Sequence, residues 1–401
     1  MRTEEERVAD AGELMQTFIE RTRIGSNGPQ RRYLWTDAFA LCNLLALARA
    51  TSDARYEAQA LELVEGVHRT LGRFRTDDTR RGWISGLPDE DALSHPTRGG
   101  LRIGKPLPER AAHETFDEEL EWERDGQYFH YLTKWMHALD QLARERREPR
   151  YNEWARELAE TACRAFCRAN PGGRCGVVWK MSTDLSRPQV SSLGAHDPLD
   201  GFVTVSQLRA SAAGWHGVTT PRLNNELREL AGMLDETSWA TPDALGLGGL
   251  LIDACRLAQL IESYSLDVAD LLDRVLAEIV AGMKLYVSRA EFERPGWQRL
   301  AFRELGLVIG LSGLRYLAPA KRTLRRAIEQ YSYLQPLLLD FWLEPAQRLT
   351  PSWAEHRDIN EVMLATSLVP EGVLDLGAPE VHATGDFDFS SGPGGTVSTG
   401  T

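Results

Sequence analysis

Apolar residues recur every three or four positions along most of the chain, and strict alternation is rare. In EWERDGQYFHYLTKWMHALDQLAR (121–144), Tyr128, Tyr131, Leu132, Trp135, Met136, Leu139, Leu142 and Ala143 share one side of a 3.6-residue period. That spacing belongs to an amphipathic helix, because a strand would bury alternate residues instead. Read this way, the pattern predicts helices at about 4–24, 35–51, 54–74, 127–147, 150–169, 200–215, 222–236, 244–262, 266–289, 299–316, 320–344 and 353–367. The best strand pattern, CGVVWKMS at 175–182, predicts only a short hairpin inside a loop. The fold class is all-α.

Two stretches repeat without a gap at an offset of 95 residues: LARATSDARYEAQALELV (47–64) and LARERREPRYNEWARELA (142–159). Both end one helix with Leu-Ala-Arg, open the next with Arg-Tyr and carry Ala-x-Glu-Leu further on. In the same register Tyr33 falls opposite Tyr128, and Leu44 and Leu47 fall opposite Leu139 and Leu142. Each copy reads as a helical hairpin that cannot bury its apolar face alone and must stack on a neighbour.

Composition narrows the partners. The 401 residues are 42% hydrophobic and 26% charged, enough for a sizeable core. A net charge of −12 argues against nucleic acid or an anionic membrane, both of which reward a basic face. No apolar run reads as a bilayer span, and the charged start MRTEEERVAD is unlike a signal peptide, so a cytoplasmic protein is expected. Five scattered cysteines (Cys42, Cys163, Cys167, Cys175, Cys255) make no disulfide framework, and no third ligand near Cys163 and Cys167 suggests a metal. The phosphate-loop, dinucleotide-binding and H-E-x-x-H patterns are absent, so no cofactor is expected. The sequence sets no oligomeric state.

Alternate helices open on unusual stretches. RRYLWTDAF carries Tyr33, Trp35 and Asp37, and the 121–130 stretch carries Trp122, Asp125, Gln127, Tyr128 and His130. AHDPLDGF carries His196, Asp197 and Asp200, and SWATPDALGLGG carries Trp239 and Asp243. GWQRLAFREL carries Trp297, Arg299, Arg303 and Glu304, and TPSWAEHRDINE carries Trp353, Glu355, His356, Arg357 and Asp358. Capping is the ordinary reason for an acid at a helix start, and Asp37 and Asp243 fit it. Trp135 fits a core position, His137 an interhelix one, and Arg303–Glu304 an internal ion pair. The groups at 121–130 and 355–358 exceed what one cap needs. Two long connections, 75–125 and 170–200, lead toward these entrances, which marks their end of the molecule as functional.

Helix number, hairpin repetition and these entrances make the chain resemble the (α/α)6 toroids of the six-hairpin glycosidase-like group, which includes the N-acylglucosamine 2-epimerase family. The resemblance spans most of residues 1–367. It implies a barrel of helical hairpins over 1–370 with long loops over one end, followed by a Gly/Ser/Thr-rich tail at 371–401. Tryptophans beside carboxylates and arginines suit a sugar, which offers an apolar ring face and a rim of hydroxyls. The expected substrate is therefore a small sugar or an oligosaccharide. Glycosidic cleavage needs two carboxyl groups, for which Asp125 and Asp200 stand first and Glu355 and Asp358 next. Tyr33, Trp35, Asp37, Trp122, Gln127, Tyr128, His130, His196, Trp239, Trp297, Arg299, Arg303 and Trp353 would line the binding site. A sugar epimerase is the second reading, with His356 as acid or base and His130 or His196 as its partner, although the fourth inner helix, ALGLGGLLIDACRL, has no histidine. A uronic-acid lyase would use Arg299 and Arg303. A helical scaffold or glycan-binding protein with merely capped entrances stays open beside these.

Overall fold

Thr3 caps the first helix, accepting from Glu6 N–H while the Glu6 carboxylate takes Thr3 N–H. The computed structural model describes residues 2–25, 30–169, 173, 175–215, 221–235 and 238–377. The helices in chain order are α1 (Glu4–Thr22), α2 (Leu34–Thr51), α3 (Ala54–Leu71), α4 (Asp89–Ser94), α5 (Glu118–Glu123), α6 (Phe129–Arg146) and α7 (Pro149–Phe166). They continue with α8 (Asp197–Ala213), α9 (Asn224–Ala231), α10 (Ala244–Tyr264), α11 (Ala269–Arg289), α12 (Ala301–Ser312), α13 (Arg322–Glu329), α14 (Leu334–Leu343), α15 (Pro351–Glu355), α16 (Arg357–Leu368) and α17 (Glu371–Leu374). Four short strands, β1 (Gln127–Tyr128), β2 (Cys167–Ala169), β3 (Cys175–Val177) and β4 (Lys180–Met181), lie in the connections.

Six helices form an inner ring: α2 packs on α6, α6 on α8, α8 on α10, α10 on α12, α12 on α16, and α16 closes back on α2. The outer layer comprises α1, α3, α7, α9, α11 and the α13–α14 pair. The inner helices α2, α8 and α10 are buried around most of their circumference, whereas α3 and α11 bury one stripe. Helix α10 is apolar and long enough to cross a membrane by composition, contrary to the sequence expectation, yet most of it is buried as the fourth member of the ring. Gly248 and Gly306 let α10 and α12 touch backbone to backbone; a Cβ on Gly248 would collide with the Gly306 carbonyl.

The 95-residue repeat corresponds to the successive hairpins α2–α3 and α6–α7. Tyr33 and Tyr128 occupy the same position before α2 and α6, and Ser52 and Arg147 both end those helices in the left-handed conformation, with φ of 55° and 54°. Three boundaries differ from expectation for identifiable reasons. The 320–344 pattern is two helices, because Pro336 cannot donate to Ser332 and instead sits in the first turn of α14. Helix α7 stops at Phe166 because Cys167–Ala169 pairs with Cys175–Val177. The last pattern is broken at His356, whose backbone (φ −113°, ψ 29°) leaves the helix between α15 and α16. All five cysteines are free thiols, with Cys42, Cys163 and Cys255 buried.

The far end of the ring is covered by residues 370–377, which the sequence assigned partly to the tail. Gln141 donates to the Gly372 and Asp375 carbonyls at 3.1 and 2.7 Å, Gln259 donates to Leu374 at 2.7 Å, and Leu376 N–H returns to Gln259 at 2.9 Å. The rest of the expected tail, 378–401, lies outside the described residues.

Candidate active site at the ring mouth

Contacts join the N-terminal ends of neighbouring inner helices around the ring. Tyr33 and Tyr131 hydroxyls meet at 2.6 Å between α2 and α6, and His130 Nδ1 lies 3.8 Å from Asp197 Oδ1 between α6 and α8. His196 Nε2 is 3.0 Å from the Trp239 carbonyl ahead of α10, and Arg303 pairs with Asp243 at 2.6 Å between α12 and α10. The Phe302 and His356 rings meet at 5.5 Å between α12 and α16. The expected entrances therefore do converge on one mouth.

The two long connections form a folded cap beside it. Strand β1 pairs with β4, Lys180 bonds Glu121 at 2.7 Å, and Arg110 donates to the Gln189 carbonyl at 2.7 Å. Asp125, expected as a catalytic acid, is a staple of this cap. Its buried carboxylate pairs with Arg102, lies 3.7 Å from Arg75, and accepts from the N–H groups of Gly104 (3.0 Å), Lys105 (3.4 Å) and Gly126 (3.1 Å). The group has no exposed surface that a substrate could reach. Gln127 is likewise committed: it accepts from Leu101 N–H and donates to the Gly99 and Thr183 carbonyls at 2.8, 3.0 and 2.7 Å.

Other expected site residues also turn inward. Trp239 is fully buried under Arg274, 4.4 Å from its ring, and Trp353 is buried against Trp342. Arg299 forms a buried two-point pair with Glu304 at 2.8 and 2.6 Å, so Glu304 pairs with Arg299 and not with Arg303. Asp37 is buried beside Arg32 at 3.2 Å and accepts from Tyr33 N–H; burial lifts it to about 6 despite that arginine. Asp358 is tied to Arg21 of the outer layer at 2.6 Å. Glu355 is exposed at the end of α15, His356 is half-buried, and Trp297 is exposed.

What gathers at the mouth is an aromatic wall beside two buried aspartates. Tyr33, Trp35, Tyr128, His130 and Tyr131 are linked by ring contacts of 4.7 to 5.9 Å. His130 keeps 36% of its side-chain surface open, while burial and nearby Lys134 lower it to about 4. Burial would raise Asp200, but Lys134 at 2.7 Å, Arg256 at 3.8 Å and the Thr133 hydroxyl at 2.5 Å outweigh it and hold the carboxylate below its usual range. Asp197, one turn earlier on α8, has no such partners. Burial, then the Asp200 charge, lift it to about 7, and its Oδ2 is buried without a hydrogen-bond partner. The environments of two carboxyls on one helix are thus driven apart, which is how acid and base roles separate. The sequence did place Asp197 at this entrance, but only side-chain packing distinguishes it from Asp200.

Below Asp200 a polar column runs down the ring. Arg256 donates to Thr204 at 3.0 Å and to Gln207 at 2.9 Å; Gln207 also meets His137 Nδ1 at 3.0 Å and donates to Asp140 at 2.7 Å. Burial lowers His137 to about 3, so it is neutral and structural. A separate cleft of about 680 Å³ opens on the outer wall between α7 and the start of α9, lined by Arg98, Glu157, Arg164 and Arg222 among others. None of the entrance residues lines it, and it contains no aromatic plate.

No protein-family model matches the sequence, and no curated protein is similar enough to match it. Solved structures do match. An α-1,6-mannanase of glycoside hydrolase family 76 from Salegentibacter sp. HEL1_6 is 12% identical, with 92% of this chain and 100% of that one covered and a TM-score of 0.54. A family 76 α-mannanase from Bacteroides thetaiotaomicron is 8% identical over 92% and 97% of the two chains, with a TM-score of 0.52. Cellobiose 2-epimerase from Spirochaeta thermophila is 12% identical over 90% and 96%, with a TM-score of 0.51. The fold is the six-hairpin (α/α)6 toroid. At such identities the likeness carries architecture alone. An inactive variant of the Salegentibacter mannanase, with two consecutive aspartates changed to asparagine, has been solved with α-1,6-mannotriose. The one Asp-Asp pair in this chain, Asp77–Asp78, lies in the connection between α3 and α4, and each carboxylate is bound by an arginine: Arg75 at 2.8 Å and Arg80 at 2.7 Å.

Proposed function

We propose that the ring mouth is the active site of a carbohydrate-active enzyme that cleaves a glycosidic bond, with Asp197 as proton donor. The observation that carries this is the Asp197 carboxyl itself: buried, unpartnered at Oδ2, and 3.8 Å from part-exposed His130, whose ring packs in a wall of tyrosine and tryptophan. A carboxyl held protonated near neutrality can protonate a leaving oxygen, and the aromatic wall offers the sugar's apolar face a partner. Asp200 stays ionised beneath it and keeps the proton on its neighbour. Because Asp200 is fully engaged by Lys134 and Thr133, the second carboxylate is assigned to Glu355. It stands at the entrance to α16, the helix opposite α8 in the ring, where a group could act from the other side of the sugar.

One observation favours epimerisation as a second reading. His130 and Asp197 are adjacent proton-transfer groups on different helices, an arrangement that could move a proton on and off a sugar carbon. Incubation with a panel of gluco- and manno-oligosaccharides in D2O separates the two. Hydrolysis yields new reducing ends with no deuterium on carbon, and the Asp197→Asn variant should lose it. Intact linkages with carbon-bound deuterium would replace hydrolysis by epimerisation.

A further inference from the structure

The expected binding residue Trp122 does not sit in the mouth. It lies on α5, 52% exposed, and its ring is stacked on Trp179 at 5.3 Å with 23° between the planes. Trp179 in turn meets Tyr128 edge-on at 5.3 Å, and Tyr128 stacks on His130 at 5.8 Å. An unbroken run of rings therefore leads from solvent to the candidate acid. A single exposed indole such as Trp297 is ordinary; what sets Trp122 apart is the run of rings that joins it to the mouth.

The surroundings hold this pair in place. Trp179 Nε1 donates to the Ser192 hydroxyl at 2.7 Å, which fixes the indole plane. Beneath it, buried Lys180 donates to the Glu121 and Arg124 carbonyls at 2.6 and 2.9 Å, pinning both ends of the turn that carries Trp122. Two plates from separate connections are thus braced face to face, with about half of Trp122 exposed. A rigid, exposed aromatic plate with polar groups around it suits the face of a pyranose ring.

We infer that Trp122 and Trp179 form an outer sugar-binding subsite, so that the substrate is an oligosaccharide and not a monosaccharide. This rests on the mouth being the active site: one sugar unit sits against the His130–Asp197 edge, and a further unit lies on Trp122. The intervening Trp179 and Tyr128 separate these places by more than one ring, so a single pyranose cannot occupy both.

The test is calorimetric titration of wild type, Trp122→Ala and Asp197→Asn with gluco- and manno-oligosaccharides of two to four units and with glucose and mannose. Trp122 is exposed, so its removal should leave the fold intact, as circular dichroism would verify. The expected result is oligosaccharide binding weakened about tenfold in Trp122→Ala, the equivalent of about 1.4 kcal/mol, with monosaccharide binding unchanged. Oligosaccharides that bind wild type no better than their monomers, or bind Trp122→Ala as well as wild type, would overturn the subsite. The two ideas fail separately. Weakened binding in Trp122→Ala with turnover intact in Asp197→Asn keeps the platform and discards the catalytic assignment. Lost turnover in Asp197→Asn with unaltered binding in Trp122→Ala does the reverse.

Discussion

His130 Nδ1 approaches Asp197 Oδ1 to 3.8 Å, and burial favours the uncharged form of both groups. Burial keeps the imidazole unprotonated down to about 4 and the carboxyl protonated up to about 7, so both are uncharged between those values. A carboxyl raised to about 7 lies near neutral pH, where it can both give and take a proton. Asp197→Asn should therefore lower kcat by about 10²–10⁴-fold, the usual contribution of a general acid. Steady-state turnover on whichever oligosaccharide binds measures it, and activity within tenfold of wild type would remove Asp197 from the mechanism.

The same two groups make opposite contributions to stability. Asp197 binds its proton more tightly in the folded state, so its contribution is fully present below about pH 4 and is lost as pH rises through about 7. His130 binds its proton less tightly when folded, so its contribution is present above about pH 6.5 and is lost as pH falls toward 4. Asp197→Asn should thus match wild type near pH 4 and gain on it with rising pH, by at most about 4 kcal/mol above pH 7. His130→Gln should gain on wild type as pH falls from 6.5 to 4. Urea unfolding of the three proteins at pH 4, 5.5 and 7.5 checks both signs, and parallel pH curves would show that folding shifts the protonation of neither group.

The ring was legible because its signals are local. Helical periodicity, the Tyr33–Tyr128 register and the six entrances are all written in spacing, and each survives folding. The site was less legible because an acid at a helix start looks the same whether it caps, pairs or waits. Asp125 and Gln127 were expected as a catalytic acid and a binding residue, but Arg102, Leu101 and Thr183, distant along the chain, hold them inside the cap. Trp239 and Trp353 lie at entrances yet face the outer layer, where Arg274 and Trp342 cover them. Asp197 emerges only from packing, as the buried entrance carboxyl whose Oδ2 has no hydrogen-bond partner among the described residues.

Gly194 adds a handle on position without touching the acid. Its backbone lies against Asp197 Oδ2 so closely that a Cβ would run into the carboxyl oxygen. Gly194→Ala should push the carboxyl aside while leaving it titratable. A displacement of about 1 Å in a reacting group can cost about 10²-fold in rate. The expected result is a kcat reduced by about that factor, with KM little changed and the pH profile displaced. An unaltered kcat would mean that the orientation of Asp197 is immaterial to turnover.

Asp125 supplies the opposite kind of prediction, one in which stability moves and chemistry does not. Its carboxylate holds Arg102, and Arg102 also donates to the Arg73 and Thr70 carbonyls at 2.7 and 2.8 Å, so the pair fastens the connection after α3 to the start of α6. Asp125→Ala leaves a buried guanidinium without its counter-charge and three backbone N–H groups without an acceptor. Breaking one side of a buried pair costs about 3–5 kcal/mol, so the variant should unfold at markedly lower urea. Where it remains folded at low temperature, its turnover per folded molecule should stay within a few-fold of wild type. A loss of turnover as deep as that of Asp197→Asn, in a protein of unchanged stability, would return Asp125 to the role of catalytic acid.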